Sequence, residues 1–343
     1  MTRLPQIPAS ILEKHNRAFF DSIREALDLI IYGGWPVFPK RENGFFSKKT
    51  TLTPNDISDL ATIRQLLVQE KILTASAETI QSIVTNRNLT GGSLSNDVIS
   101  LLAELFNYSE FREGRHLVTR NHEFYWETPS EKEQQWGGYE YLQYHLASLK
   151  FCPYCNADMV YAFVKGTKTT ERKVGSALDH FYPQSKYPFL ALSLYNLIPA
   201  CSRCNSQMKG AADISLVANP YIDNIHHNVV FFPLINTSSP PLDEPCSIAI
   251  LPREGCNQKT IKYVCLFELE NLYSSAFARD ALLCMERVRN FTSEFRRDFA
   301  LRIGQKDSRL VDALFLGMRP DESDINITRL GKMTLDIIDQ FET

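Results

Sequence analysis

Cys152-Pro-Tyr-Cys155 and Cys201-Ser-Arg-Cys204 have the clearest chemical spacing in the chain. A Cys-x-x-Cys turn aims two thiolates at one point, and two such turns can close a tetrahedral Zn²⁺ site. A closed four-cysteine site is structural, because no coordination position stays open for substrate. Zinc bound this way contributes on the order of 10 kcal/mol to folding, which matters for a module with little core of its own. The competing reading is one redox Cys-x-x-Cys beside a chance pair, although a redox motif needs no twin. Cys246, Cys256, Cys265 and Cys284 have no ligand spacing and read as buried apolar residues.

The stretch between the two turns holds further candidates. Leu178-Asp179-His180-Phe181 closes a β-like run, Asn196-Leu197 precedes the second turn, and Asn205 follows it directly. Singly, His180 reads as a core histidine and Asp179 as a strand-end residue. Jointly and in this order, they resemble the HNH endonucleases of the ββα-metal superfamily, in the version whose third signature residue is Asn. The resemblance implies hydrolysis of a phosphodiester bond, leaving a 5′-phosphate and a 3′-hydroxyl. His180, titrating near neutral pH, suits the general base that takes a proton from water. Asp179 points to the other side of its strand. With Asn205 at the start of the next helix, it offers oxygens to catalytic Mg²⁺ or Mn²⁺. By the same resemblance, Asn196 steadies the loop that orients the imidazole.

One branch of the family is closer. Asp179-His180-Phe181-Tyr182-Pro183, Tyr187-Pro188, Tyr195-Asn196-Leu197, Cys204-Asn205-Ser206 and Asn219-Pro220-Tyr221-Ile222-Asp223 fall in the order seen in certain HNH nucleases of bacterial anti-phage defence. These are the nuclease subunits of Septu and some retron systems, which work beside an ATPase. The resemblance therefore implies a defence effector with an ATPase partner. It covers about 70 residues, and the family's lysine three residues after Asn205 is Met208 here, with Lys209 one step later.

Charge and composition narrow the classes. Residues 151–210 hold seven Lys or Arg against three acids, whereas the whole chain carries a net charge of −3. A basic module in an acidic protein fits phosphate-backbone binding, with Lys186, Arg203 and Lys209 as candidate contacts and double-stranded DNA as the favoured substrate. A solvated hairpin tip at 165–173 would give the same count. Composition excludes a histone-like binder, and 44% hydrophobic residues exclude disorder over the full 343 residues. No signal-peptide pattern and no apolar run of roughly 20 residues is visible, so a soluble cytoplasmic protein without membrane contact is expected. Two alternatives stay open: a nuclease acting on RNA or branched DNA in repair, and a zinc-stabilised nucleic-acid-binding module without catalysis.

The elements that must position these residues suggest an α+β protein. Mostly helical N- and C-terminal regions would flank a zinc-stabilised ββα-metal module, with segments at 1–135, 136–225 and 226–343. Apolar spacing predicts a helix over 10–32 ending at Gly33-Gly34, and Thr53-Pro54 caps another running to about Lys71. Ser76 and Ser93 or Ser95 cap two more, the second running to about Tyr108. The helical region at 1–135 lacks chemical motifs and is the expected partner surface. Residues 159–164 and 174–181 read as strands, as do 229–234 and 247–251. Helical pattern returns over 267–303 and near the end. Trp126, Trp136 and Tyr139–Tyr144 read as core, and His226-His227 suggests a metal site that lacks a third ligand in the sequence.

Overall fold

A computed structural model describes residues 2–33, 52–86, 89–90, 92–120, 123–130, 135–164, 172–210, 212, 214, 216–235, 246–318 and 321–342. Of the hairpin tip expected at 165–173, residues 165–171 lie outside these residues. The fold class is α+β, and among the described residues the strands pair only into two-stranded sheets. Two compact units interleave along the chain. One comprises Pro5–His145 and Tyr161–Pro199; the other comprises Met1–Leu4, Leu146–Val160 and Ala200–Thr343.

The first unit opens with α1 (Ala9–Gly33), which buries His15, Phe19, Ile23, Ala26, Leu27 and Ile30 along one stripe. In α2 (Pro54–Val68) the Thr53 hydroxyl accepts from the Asp56 amide while the Asp56 carboxylate accepts from the Thr53 amide. This reciprocal capping box satisfies two amides that the helix start would otherwise orphan. Ser76 precedes α3 (Ala77–Asn86) and accepts from Thr79 N. Ser95 caps α4 (Asn96–Leu105), and Asn107 caps the separate turn α5 (Tyr108–Arg112).

Within the mostly helical stretch expected at 1–135, the structure adds one antiparallel pair, β1 (His116–Arg120) and β2 (Glu123–Glu127). Its β-branched and aromatic runs favour strand, and Leu117 faces Trp126 with both buried. Gly137, just before α6 (Gly138–His145), meets Gly114 and the Phe111 carbonyl so closely that an added Cβ would lie 2.5 Å from each. Only glycine fits there. Trp136 is buried, and its Nε1–H donates to His15 Nδ1 at 2.9 Å. The His15 proton therefore sits on Nε2 and bonds the Leu192 carbonyl at 2.7 Å. The remaining strands are β3 (Ala162–Val164), paired with β4 (Arg172–Val174), and β5 (Ala177–His180), paired with β6 (Leu197–Ala200).

In the second unit, a π-helix (Arg203–Lys209) follows the second cysteine turn, and the single turn α7 (Ile225–Asn228) leads into β7 (Val229–Ile235). β7 pairs antiparallel with β8 (Cys246–Pro252), and Phe231, Ile248 and Ile250 face inward. Then come α8 (Gln258–Leu266), α9 (Leu269–Asn290), α10 (Ser293–Arg302), α11 (Ser308–Leu316) and α12 (Gly331–Phe341).

A two-stranded sheet has two edges, and helix side chains satisfy both. On β8, Ser274 accepts from Ile248 N and Glu270 accepts from Ile250 N. On β7, Asp336 accepts from Phe231 N while Gln340 donates to Phe231 O. Each helical pair is spaced i, i+4, which puts both side chains on one face. No helix among the described residues is long and apolar enough to cross a membrane.

Candidate functional site

The four cysteines Cys152, Cys155, Cys201 and Cys204 gather in the second unit, all buried. Their sulfurs lie within 4.8 Å of one another, with Cys155 and Cys201 at 4.0 Å. A tetrahedron of Zn–S bonds has an edge of about 3.8 Å, so the cluster fits zinc with little adjustment. The Cys201 amide bonds Cys152 Sγ and the Cys204 amide bonds Cys201 Sγ, each at 3.4 Å. Amides aimed at sulfur favour thiolate over thiol.

The thiols divide unevenly. Burial pushes Cys152 up, and its thiol neighbours push Cys204 up. Donation from Cys152, Cys201 and Cys204 holds Cys155 well below the usual range. Four thiols packed this closely oppose one another's ionisation, and a divalent cation lets all four ionise. Arg203 lies beside the cluster, its guanidinium 3.6 Å from Cys204 Sγ and 3.5 Å from the Asp158 carboxylate. Of the other expected phosphate contacts, Lys209 is buried here, and Lys186 is exposed in the first unit.

The first cysteine turn is held by residues that local sequence gave no reason to select. Asn156 takes a positive φ of 56° and closes the turn through its amide to Cys152 O at 2.7 Å. Asn tolerates this left-handed region better than most residues. Its side-chain amide donates to Ile325 O at 2.8 Å and Thr328 O at 3.3 Å, and its oxygen accepts from Lys332 N at 3.0 Å. Tyr263 donates to the carbonyls of Pro153 and Tyr154, and Tyr273 to that of Cys155. Tyr154 stacks on Phe267 at 4.5 Å.

The outer cysteines are less uniform than the sequence reading. Cys246 and Cys284 are buried, but Cys256 is half-buried and Cys265 is exposed. Asn205 lies on the π-helix of the same unit, half-buried, with its backbone carbonyl bonded by Gly210 N five residues on. A π-type turn replaces the ordinary helix start expected there.

Asp179, His180 and Asn196 belong to the first unit, on and beside the paired strands β5 and β6. His180 Nε2 lies 3.0 Å from the Ala191 carbonyl. A carbonyl only accepts, so the proton sits on Nε2 and Nδ1 is the basic nitrogen. Asn196 is fully buried; its oxygen accepts from Tyr182 N at 2.7 Å, and its amide donates to Tyr182 O and Leu190 O, each at 3.1 Å. It thereby fixes the carbonyl one residue before the one that holds His180.

Tyr108 packs edge-on against the His180 ring at 4.6 Å and donates to Leu178 O. Burial pushes its phenol up to about 12. Nothing in the local sequence marks Tyr108 for this contact, because it comes from α5, 72 positions away. No family, curated protein or solved structure matches this chain.

Two groups of three or more His, Cys, Asp or Glu side chains converge among the described residues. They are the four cysteines and the set His226, His227 and Glu322. Asp179 is buried and belongs to neither group.

Proposed function

We propose that the chain is a metal-dependent endonuclease of the HNH type that hydrolyses phosphodiester bonds, with double-stranded DNA as substrate. The observation that supports it is the tautomer of His180. Its Nε2 is committed to the Ala191 carbonyl, which leaves Nδ1 as the basic nitrogen at the end of β5. In this reading Nδ1 removes a proton from the attacking water, and the Asn196 bonds keep the loop from drifting. Asp179 would hold a divalent ion, which supplies positive charge for the leaving oxygen. The bond to the 3′-oxygen breaks, leaving a 3′-hydroxyl and a 5′-phosphate. The four-cysteine cluster takes no part in chemistry and holds its unit together. The defence role and the ATPase partner follow from the sequence resemblance and belong to the same proposal.

The test is cleavage of supercoiled plasmid by the purified protein in Mg²⁺ or Mn²⁺, with EDTA as control, beside His180→Ala. The expected result is metal-dependent nicking that the variant loses. Equal nicking by both proteins would refute His180 as the base.

A further inference from the structure

His226 and His227 sit side by side on α7, and Glu322 opens a 3-10 turn, Glu322–Asp324, in the same unit. His226 Nε2 lies 3.3 Å and His227 Nε2 3.1 Å from the same Glu322 oxygen. We propose that these three residues form a second metal site, for a borderline divalent cation such as zinc, distinct from the four-cysteine centre.

The donor set is the first argument. Two imidazoles and a carboxylate are ligands that zinc accepts, and three of them leave a fourth position for water. Geometry is the second. Zn–N and Zn–O bonds of about 2.05 Å place neighbouring tetrahedral ligands about 3.4 Å apart, close to the separations found. All three ligand atoms lie within 4.8 Å of one another.

The third argument is the burial of His226. Its side chain is 6% exposed, and its Nδ1 has no hydrogen-bond partner among the described residues. Its other nitrogen, Nε2, faces Glu322 at 3.3 Å, toward the point where the three ligand atoms converge. The nearby cations do not oppose a metal strongly. Lys332 and Arg253 are both paired with Asp336, at 2.5 Å and 3.0 Å. The main cost falls on His227, whose Nδ1 is 3.4 Å from the Asn224 amide nitrogen. That weak contact is lost when metal at Nε2 moves the ring proton to Nδ1.

The placement gives the site a structural task. Glu322 lies just ahead of Ile325, Thr328 and Lys332, whose backbones hold Asn156 of the first cysteine turn. An ion tying Glu322 to α7 would brace the segment that grips the zinc turn.

The experiment is zinc stoichiometry of the full chain by equilibrium dialysis against micromolar zinc. Wild type is compared with His227→Ala and Glu322→Gln, both at largely exposed positions. Two zinc ions per wild-type chain and one in each variant are expected. Cobalt substitution runs in parallel, because its thiolate charge-transfer band reports the cysteine site alone and must be equal in all three proteins. One zinc per wild-type chain, or two in the variants with that band intact, would overturn the proposal.

Discussion

Replacing Asn156 measures how firmly the C-terminal segment holds the first cysteine turn. Its side chain makes three hydrogen bonds, to Ile325 O, Thr328 O and Lys332 N. At about 1 kcal/mol each, their loss costs roughly 3 kcal/mol. Asn156→Gly keeps the left-handed backbone without strain but adds freedom to the unfolded chain, worth about 0.5–1 kcal/mol. Its total is therefore roughly 3.5–4 kcal/mol, from two terms of known origin. Asn156→Ala loses the same bonds and must also hold a Cβ at positive φ, which adds about 1–2 kcal/mol.

Urea unfolding of the zinc-loaded protein, followed by near-ultraviolet circular dichroism, gives both values. Tyr154 and Tyr273, buried against this turn, supply the signal. Competition with a chromophoric chelator should show weaker zinc binding in the same order, Ala below Gly below wild type. A loss below about 1 kcal/mol for Asn156→Gly would refute the reasoning, since three buried bonds cannot vanish so cheaply. Equal losses for Gly and Ala would refute the strain argument alone.

Two further outcomes rest on other parts of the structure. Burial holds His15 and His145 down to about 3, so both are neutral when folded, whereas the unfolded chain protonates them below about 6.5. Their stabilising share is complete above that value and is lost as pH falls toward 3. Each should cost about 2 kcal/mol between pH 6.5 and 5. His145→Phe, whose ring still packs against Tyr141 and Tyr144, should flatten the stability–pH curve, and an unchanged slope in urea titrations would contradict this. Asp336→Ala strands the fully buried Lys332 and removes the acceptor for Phe231 N. It should destabilise by about 3–5 kcal/mol in the same assay, and a loss under 1 kcal/mol would show that Lys332 finds another partner.

Local signals in the sequence account for much of the fold. The spacing of His15, Phe19, Ile23, Leu27 and Ile30 fixes α1, and Thr53-Pro54 with Asp56 fixes the start of α2. Alternating burial in β7 and β8 follows directly from their residue order. The β1–β2 pair escaped because its neighbours are all helical and its turn lacks glycine, even though Phe124, Tyr125 and Trp126 favour strand. The break between α4 and α5 depends on Asn107, whose cap competes with continuing the helix.

For the candidate sites, the sequence by itself determined the ligand types. Two Cys-x-x-Cys turns carry their geometry locally, because four residues suffice to aim two sulfurs. Only the tertiary structure supplied what holds them. Asn156 is gripped by residues roughly 170 positions away, and Glu322 comes 95 positions after His227. No local pattern records such pairings, since contacts between distant segments are set by packing of whole helices. The same holds for Tyr108 beside His180 and for Arg203 turned onto the cysteine cluster. The sequence chose the chemistry of each side chain, and burial and long-range hydrogen bonds decided which proton it carries and what it faces.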